Sequence, residues 1–117
     1  MKFSLILLAF FCSFNAYAGE RALTKIERIA IERSVKERLK DPDSAKFKHS
    51  KLVQTKKEGN IYCGLVNAKN SFGGYTGFQP FQTYVAVGTL GKTVAYTFSL
   101  ENSDVILQLC AENGYIF

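Results

Sequence analysis

The sequence predicts an α+β domain: an N-terminal amphipathic helix packed on a small antiparallel sheet of about four strands, followed by a short C-terminal helix. Three observations predict it. Residues 21–40 (RALTKIERIAIERSVKERLK) carry apolar side chains at helical spacing with charges between them. From residue 47 that period gives way to short runs rich in Val, Thr, Tyr and Phe, separated by Gly-containing turns. Near the end the chain returns to an apolar segment with a polar stripe of Asp104, Gln108 and Glu112. A chain that is 47% hydrophobic and 21% charged, with two prolines, is neither disordered nor collagen-like, and 117 residues hold one small domain.

The first 18 residues read as a signal peptide. Lys2 is followed by the apolar run FSLILLAFFCSF and then by the small-x-small site Ala16-Tyr17-Ala18, and the run is too short to span a bilayer. Cleavage after Ala18 leaves residues 19–117 as a single α+β domain, periplasmic or secreted, with no stable membrane span. A buried N-terminal helix would show a polar face, and lipidation at Cys12 needs a small residue where Phe11 stands.

Loss of Cys12 leaves Cys63 and Cys110, for which one pairing exists. In an oxidising compartment they are expected to form a disulfide worth about 4 kcal/mol in the chain-entropy picture. The competing reading, a reactive or metal-binding Cys63 beside His49, has no CxxC and a single His to draw on.

In the helix, Leu23, Ile26 and Ala30 form one apolar stripe and Ile31, Val35 and Leu39 a second, which predicts cover on more than one side. Thr24 and Glu27 match a capping box, and Asp41-Pro42 stops the helix, because the residue before proline is driven out of the α region. Strands are expected over residues 47–55, 61–66, 82–87 and 93–100, with a turn at 57–60 and a hairpin at 88–92. In the last strand Val94, Tyr96, Phe98 and Leu100 alternate with Thr93, Ala95, Thr97 and Ser99, so the first set is expected to be buried. Ser103 as N-cap and Asn113-Gly114 as a stop signal favour a short helix at the end, with Ile106, Leu109 and Cys110 on one face.

The unusual stretch runs from Cys63 to Tyr84. Aromatics recur every third residue at Phe72, Tyr75, Phe78, Phe81 and Tyr84, with Gly73, Gly74, Gly77 and Pro80 in the intervals. A strand needs period two and a helix does not carry so many glycines, so the stretch is expected to form a wide shaped loop whose entrance suits Asn67 and Asn70. Two readings stand. Rings on glycine hinges form an exposed recognition surface, or they fold inward over the end of the sheet. Phe72, Phe78 and Phe81 lack a polar handle, which favours the inward reading for them, whereas Tyr75 is the best candidate for exposure.

The chain resembles a family of small, largely uncharacterised exported proteins of Gram-negative bacteria and their prophages. The residues that carry the resemblance are the turn Lys40-Asp41-Pro42-Asp43-Ser44-Ala45-Lys46-Phe47 and the block CGLVNAKNSFGGYTGFQPF from Cys63 to Phe81. It implies that helix, turn and aromatic loop belong to one domain, and it brings no activity with it.

Charge is uneven: residues 19–57 hold twelve Lys or Arg against six Asp or Glu, and residues 58–117 hold two against four. For an exported domain such a surplus points to a protein or an anionic envelope component as partner, not to nucleic acid, with Arg28 and Lys36 as candidate contacts; a solvated helix face is the plainer reading. Catalysis has little to stand on. Asp41 and Asp43 flank a proline in a turn, His49 lies among lysines, no GxSxG occurs, and neither metal nor cofactor is expected. Two functions remain: a periplasmic binding or inhibitory module acting through the aromatic Gly-rich loop, or a structural or accessory envelope protein that associates with itself and has no small-molecule ligand.

Overall fold

The computed structural model describes residues 19–55, 59–88, 90–98 and 100–117. The signal peptide, its cleavage site and Cys12 lie outside the described residues, as does part of the expected turn at 57–60.

The class is α+β, with two helices and two antiparallel sheets. The first described element is a strand, β1 (Gly19–Arg21), and among the described residues the strands number six, against an expectation of about four. Helix α1 spans Lys25–Lys36, shorter at both ends than its apolar pattern. Its start is set by chemistry local to the chain. The Glu27 N–H donates to Thr24 Oγ1 at 3.1 Å, and the Thr24 N–H donates to Glu27 Oε1 at 2.9 Å, so two otherwise orphaned donors are satisfied. Arg21 grips the same carboxylate through two guanidinium nitrogens at 2.6 and 2.9 Å. That bond is the main reason the Glu27 carboxyl is held below its ordinary range, against a smaller opposing effect of burial.

Residues 47–55 do not form one strand. A 3-10 turn (Pro42–Ser44) leads into β2 (Lys46–Lys48), the chain breaks at His49 to Lys51, and β3 (Leu52–Gln54) pairs with β1. The main sheet runs β2-β4-β5-β6, with β4 over Gly59–Asn67, β5 over Gln79–Val87 and β6 over Thr93–Thr97. Tyrosine hydroxyls and an amide replace ladder bonds between the segment around β3 and β4. The Val53 N–H donates to the Tyr115 hydroxyl, which donates to the Ile61 carbonyl, both at 2.9 Å. The Ser50 N–H donates to the Tyr62 hydroxyl and the Thr55 N–H to Asn60 Oδ1, again at 2.9 Å.

Residues opposite one another in the ladder share a face, so the register sorts the side chains. Phe47, Tyr62, Phe81, Thr83, Val85, Ala95 and Thr97 lie on one face. Helix α1 covers it with Ile31, Ser34 and Val35. This reverses the expectation for the last strand: Thr97 is buried, while Val94, Tyr96 and Phe98 are exposed. The reason is a buried chain of hydroxyls. Ser34 has one hydroxyl proton and gives it to the Ile31 carbonyl at 2.9 Å. Thr97 therefore donates to Ser34 at 2.5 Å, and Thr83 donates to Thr97 at 3.0 Å. Every member is satisfied, so the threonine face can be buried without the usual penalty. Of the first apolar stripe Ile26 is exposed, as is Ile29 beside it, whereas Leu23 packs partly buried against the core.

Helix α2 (Ser103–Glu112) lies on the opposite face, fixed by the Cys63–Cys110 disulfide, which joins residues 47 apart with Cα atoms 5.9 Å from each other. Asn102, with φ 60°, takes the N-cap position expected of Ser103, whose hydroxyl instead donates to Gln79 Oε1 at 2.8 Å. Ile106 and Cys110 are buried; Leu109, expected beside them, is exposed. The helix ends as Asn113-Gly114 signals, with Gly114 at φ 91° and the Tyr115 N–H returned to the Cys110 carbonyl. Among the described residues no helix is long and apolar enough to cross a membrane.

Candidate binding surface

The loop between β4 and β5 is built from its own short-range bonds. Asn67 Oδ1 accepts the Gly77 N–H at 3.1 Å, which ties the two ends together. Asn70 Oδ1 accepts from the Phe72 N–H at 2.9 Å and the Gly74 N–H at 3.2 Å, while the backbone of Asn70 bonds that of Gly73 and Gly74. Both asparagines thus shape the loop from within. The hairpin requires glycine at Gly73 and Gly77, whose φ values of 79° and 93° are costly for any other residue. The 3-10 turn anchors it from outside: the Tyr75 hydroxyl donates to the Ser44 carbonyl at 3.0 Å, and the Lys69 N–H donates to Ser44 Oγ at 2.8 Å.

On this frame the aromatic residues separate. Phe72, expected to turn inward, stands at the tip 97% exposed, and Tyr75 is 42% exposed. Phe78 is half-buried. Their neighbours are lysines: Lys46 and Lys69 place their amines 4.7 and 5.6 Å from the Tyr75 ring centre, and Lys48 lies 4.2 Å from that of Phe78. Each such contact is worth about 0.5–1 kcal/mol at an exposed site.

Phe81 and Tyr84 do not belong to this surface. Strand β5 starts at Gln79, and from there period two replaces period three. Phe81 points into the core with no exposure and is out of reach of a partner. Tyr84 is exposed on the other face of the sheet, its hydroxyl end over Gly59. Arg28 is exposed on α1, and Lys36 lines a shallow cleft on that helix with Glu32, Arg33 and Glu37. Neither is among the residues that bond or stack with the loop. The residues the sequence reading missed are Lys46, Lys48 and Lys69. The Lys46-Phe47-Lys48 alternation carried the signal, since a strand that buries Phe47 must turn both lysines to the opposite face.

His49 is a fastener. Its Nδ1 meets the Tyr62 hydroxyl at 2.7 Å and its Nε2 meets Glu32 at 2.9 Å, so it joins α1 to β4 across the break between β2 and β3. Tyr62 is fully buried and desolvation pushes its phenol well up, so its hydroxyl holds the trio to the sheet. Among the described residues no three His, Cys, Asp or Glu side chains gather where they could hold a metal ion. No family model, curated protein or solved structure matches the chain.

Proposed function

We propose that the chain is an exported binding module whose loop over residues 68–78 contacts a protein or an anionic envelope component, with Phe72 and Tyr75 as the apolar contacts and Lys46, Lys48 and Lys69 as the charged ones. The observation that carries the reading is Phe72. A large apolar ring at 97% exposure contributes nothing to the core, and the loop beneath it is held by bonds that do not involve the ring. A rigid aromatic on a preformed frame is what binding energy is concentrated in at interfaces, because little entropy is lost on contact. Lysines around the rings add attraction for an acidic partner.

Retention on separated membrane, cell-wall and soluble envelope-protein fractions tests it. The wild-type chain is expected to be held by one of them, and Phe72→Ala and Tyr75→Ala to be held at least tenfold more weakly. Equal retention of all three refutes the loop as the contact surface.

A second reading, self-association as an envelope accessory, draws on a different region. β6 is an edge strand, and Val94 and Tyr96 on it and Phe98 just beyond it are exposed together with the neighbouring Tyr84 of β5. Such an edge is a template for another chain. A sedimentation experiment showing a dimer that Tyr96→Lys dissolves would move the function there.

A further inference from the structure

Beside the loop lies a cleft of about 200 Å³, between the turn that follows α1 and the segment that joins β4 to β5. Three cations line it: Arg38 and Lys40 from the first segment and Lys69 from the second. None of the lining residues is acidic. Cations after the end of α1 have an ordinary explanation in the partial negative charge of a helix C-terminus. Lys69 does not, since it comes from another part of the chain.

The uncharged polar groups point the same way. Asn70 and Gln79 also line the cleft, and both amide oxygens are already in use: Asn70 Oδ1 accepts two backbone N–H groups, and Gln79 Oε1 accepts the Ser103 hydroxyl. The Asn70 oxygen is thereby filled and the Gln79 oxygen half-used, while both amides keep N–H donors to offer. Arg38 gives one nitrogen to the Tyr96 hydroxyl, at 3.2 Å, and its guanidinium lies over that ring 5.5 Å from its centre, which leaves the remaining N–H groups of its fork as donors. Leu39, Pro80 and Leu100 supply an apolar wall, against which charge–charge attraction is less screened than in open water. Residues that carry positive charge or spare donors thus line, from three segments of the chain, a space with an apolar wall.

We infer that this cleft takes a phosphoryl group carried by the molecule that the loop contacts. A tetrahedral dianion presents oxygens in several directions, which suits donors from separate segments better than the single plane of a carboxylate. The volume admits a phosphoryl group and the first atoms of its carrier, and the rest of the carrier lies outside. Lys69 serves both places, as its amine is also within 5.6 Å of the Tyr75 ring centre, so the carrier continues towards the exposed rings. The inference deepens the proposed function and rests on its reading of the loop as a contact surface.

The test is a titration of the disulfide-bonded chain with inorganic phosphate at constant ionic strength, followed by amide chemical shifts. Saturable shifts are expected at residues 38–40, 69–70 and 76–79. Lys40→Ala and Lys69→Ala should each weaken binding about tenfold, the usual worth of one charge-assisted hydrogen bond. Arg33→Ala, outside the cleft, should leave it unchanged. A drift without saturation, saturable shifts elsewhere on the basic surface, or unaltered affinity in both cleft variants overturns the inference.

Vesicles distinguish the source of the group. Sedimentation with vesicles containing phosphatidic acid, a phosphomonoester, abolished by Lys40→Ala and absent with phosphatidylcholine alone, assigns it to a lipid headgroup. Phosphate saturation without vesicle retention assigns it to a soluble phosphorylated molecule. Both outcomes uphold the cleft. Phosphate binding that survives when Phe72→Ala has no effect on envelope retention upholds the cleft and removes the loop reading. Envelope retention that depends on Phe72 while phosphate fails to saturate does the reverse.

Discussion

Phe72 and Phe81 are the same side chain in one aromatic stretch, yet the first is 97% exposed and the second has no exposure at all. Their surroundings differ in kind. Phe81 lies 5.9 Å from the ring centres of both Phe47 and Tyr62, and its edge fills the place where Gly64 has no side chain; a Cβ there would come within 2.8 Å of the ring. At Phe72 the loop holds the backbone, whose N–H donates to Asn70 Oδ1, and leaves the ring exposed, while the rings after it, Tyr75 and Phe78, are faced by lysine amines. The boundary is Gln79, where β5 begins. Inside a strand alternate residues are driven to the core; before it, hydrogen bonds of Asn67 and Asn70 fix the backbone without using the rings. The aromatic period that is uniform along the sequence is thus divided by the start of one strand into a loop part and a strand part, and within the strand alternation buries Phe81 while Tyr84, on the other face, stays exposed.

The division predicts a graded response. Phe81→Ala should cost about 3–5 kcal/mol in denaturant unfolding, as large-to-small changes in a core do. A loss under about 1 kcal/mol would erase the contrast with Phe72. Cys110→Ser should follow at about 2–5 kcal/mol, because it frees α2 and the Tyr115 hydroxyl from the sheet. Thiol counting of the native chain checks the premise, with no free thiol expected at Cys63 or Cys110.

Smaller effects sharpen the account of the buried half. Thr97→Val removes the middle of the hydroxyl chain, leaving Ser34 without its donor and Thr83 without its acceptor, and should cost about 1–3 kcal/mol. Thr97→Ser, which keeps the hydroxyl, should recover most of that. The Arg21–Glu27 clasp gives a pH dependence of known sign. The Glu27 carboxyl is held down in the fold mainly by its bond to Arg21, so its contribution is present above the ordinary carboxylate pKa of 4.5 and is lost as pH falls through the folded value. Glu27→Gln should flatten that acid limb. At neutral pH its cost should stay within about 1 kcal/mol, since Arg21 is substantially exposed and solvent screens the pair. On the alkaline side burial raises the phenols of Tyr62 and Tyr115, so their contribution is complete below about pH 10 and is lost above it, as the unfolded chain ionises first. Smallest of all, charge reversal at Arg28 and Lys36 should leave stability unchanged, and any slowing of partner association should vanish at high salt.

Parts of this were legible in the sequence for physical reasons that are local. The capping box of Thr24 and Glu27, the Asn113-Gly114 stop and the pairing left to Cys63 and Cys110 each depend on residues near one another in the chain or on arithmetic. The buried face of β6 was not legible. Alternation separates Val94, Tyr96 and Phe98 from Thr93, Ala95 and Thr97, but the choice between the two sets is made by Ser34, distant in sequence, whose hydroxyl makes the threonine face the one the helix can cover. Likewise Phe72 was expected inside because phenylalanine usually is; hydrophobicity gives no account of a loop that folds through its asparagines and glycines. The lysines that face the rings read as ordinary surface charge until β2 and the loop are brought together.

The central claim, that the loop presents its rings outward for contact, is tested most directly by Phe72→Ala, measured at once for thermal unfolding and for retention on the envelope fraction that holds the wild-type chain. The account predicts a midpoint within about 2 °C of wild type, since a shift of 1 kcal/mol would move a domain of this size by about 4–8 °C, together with at least a tenfold loss of retention. A midpoint lowered by 10 °C or more, with retention per folded molecule unchanged, would contradict it and return Phe72 to the core.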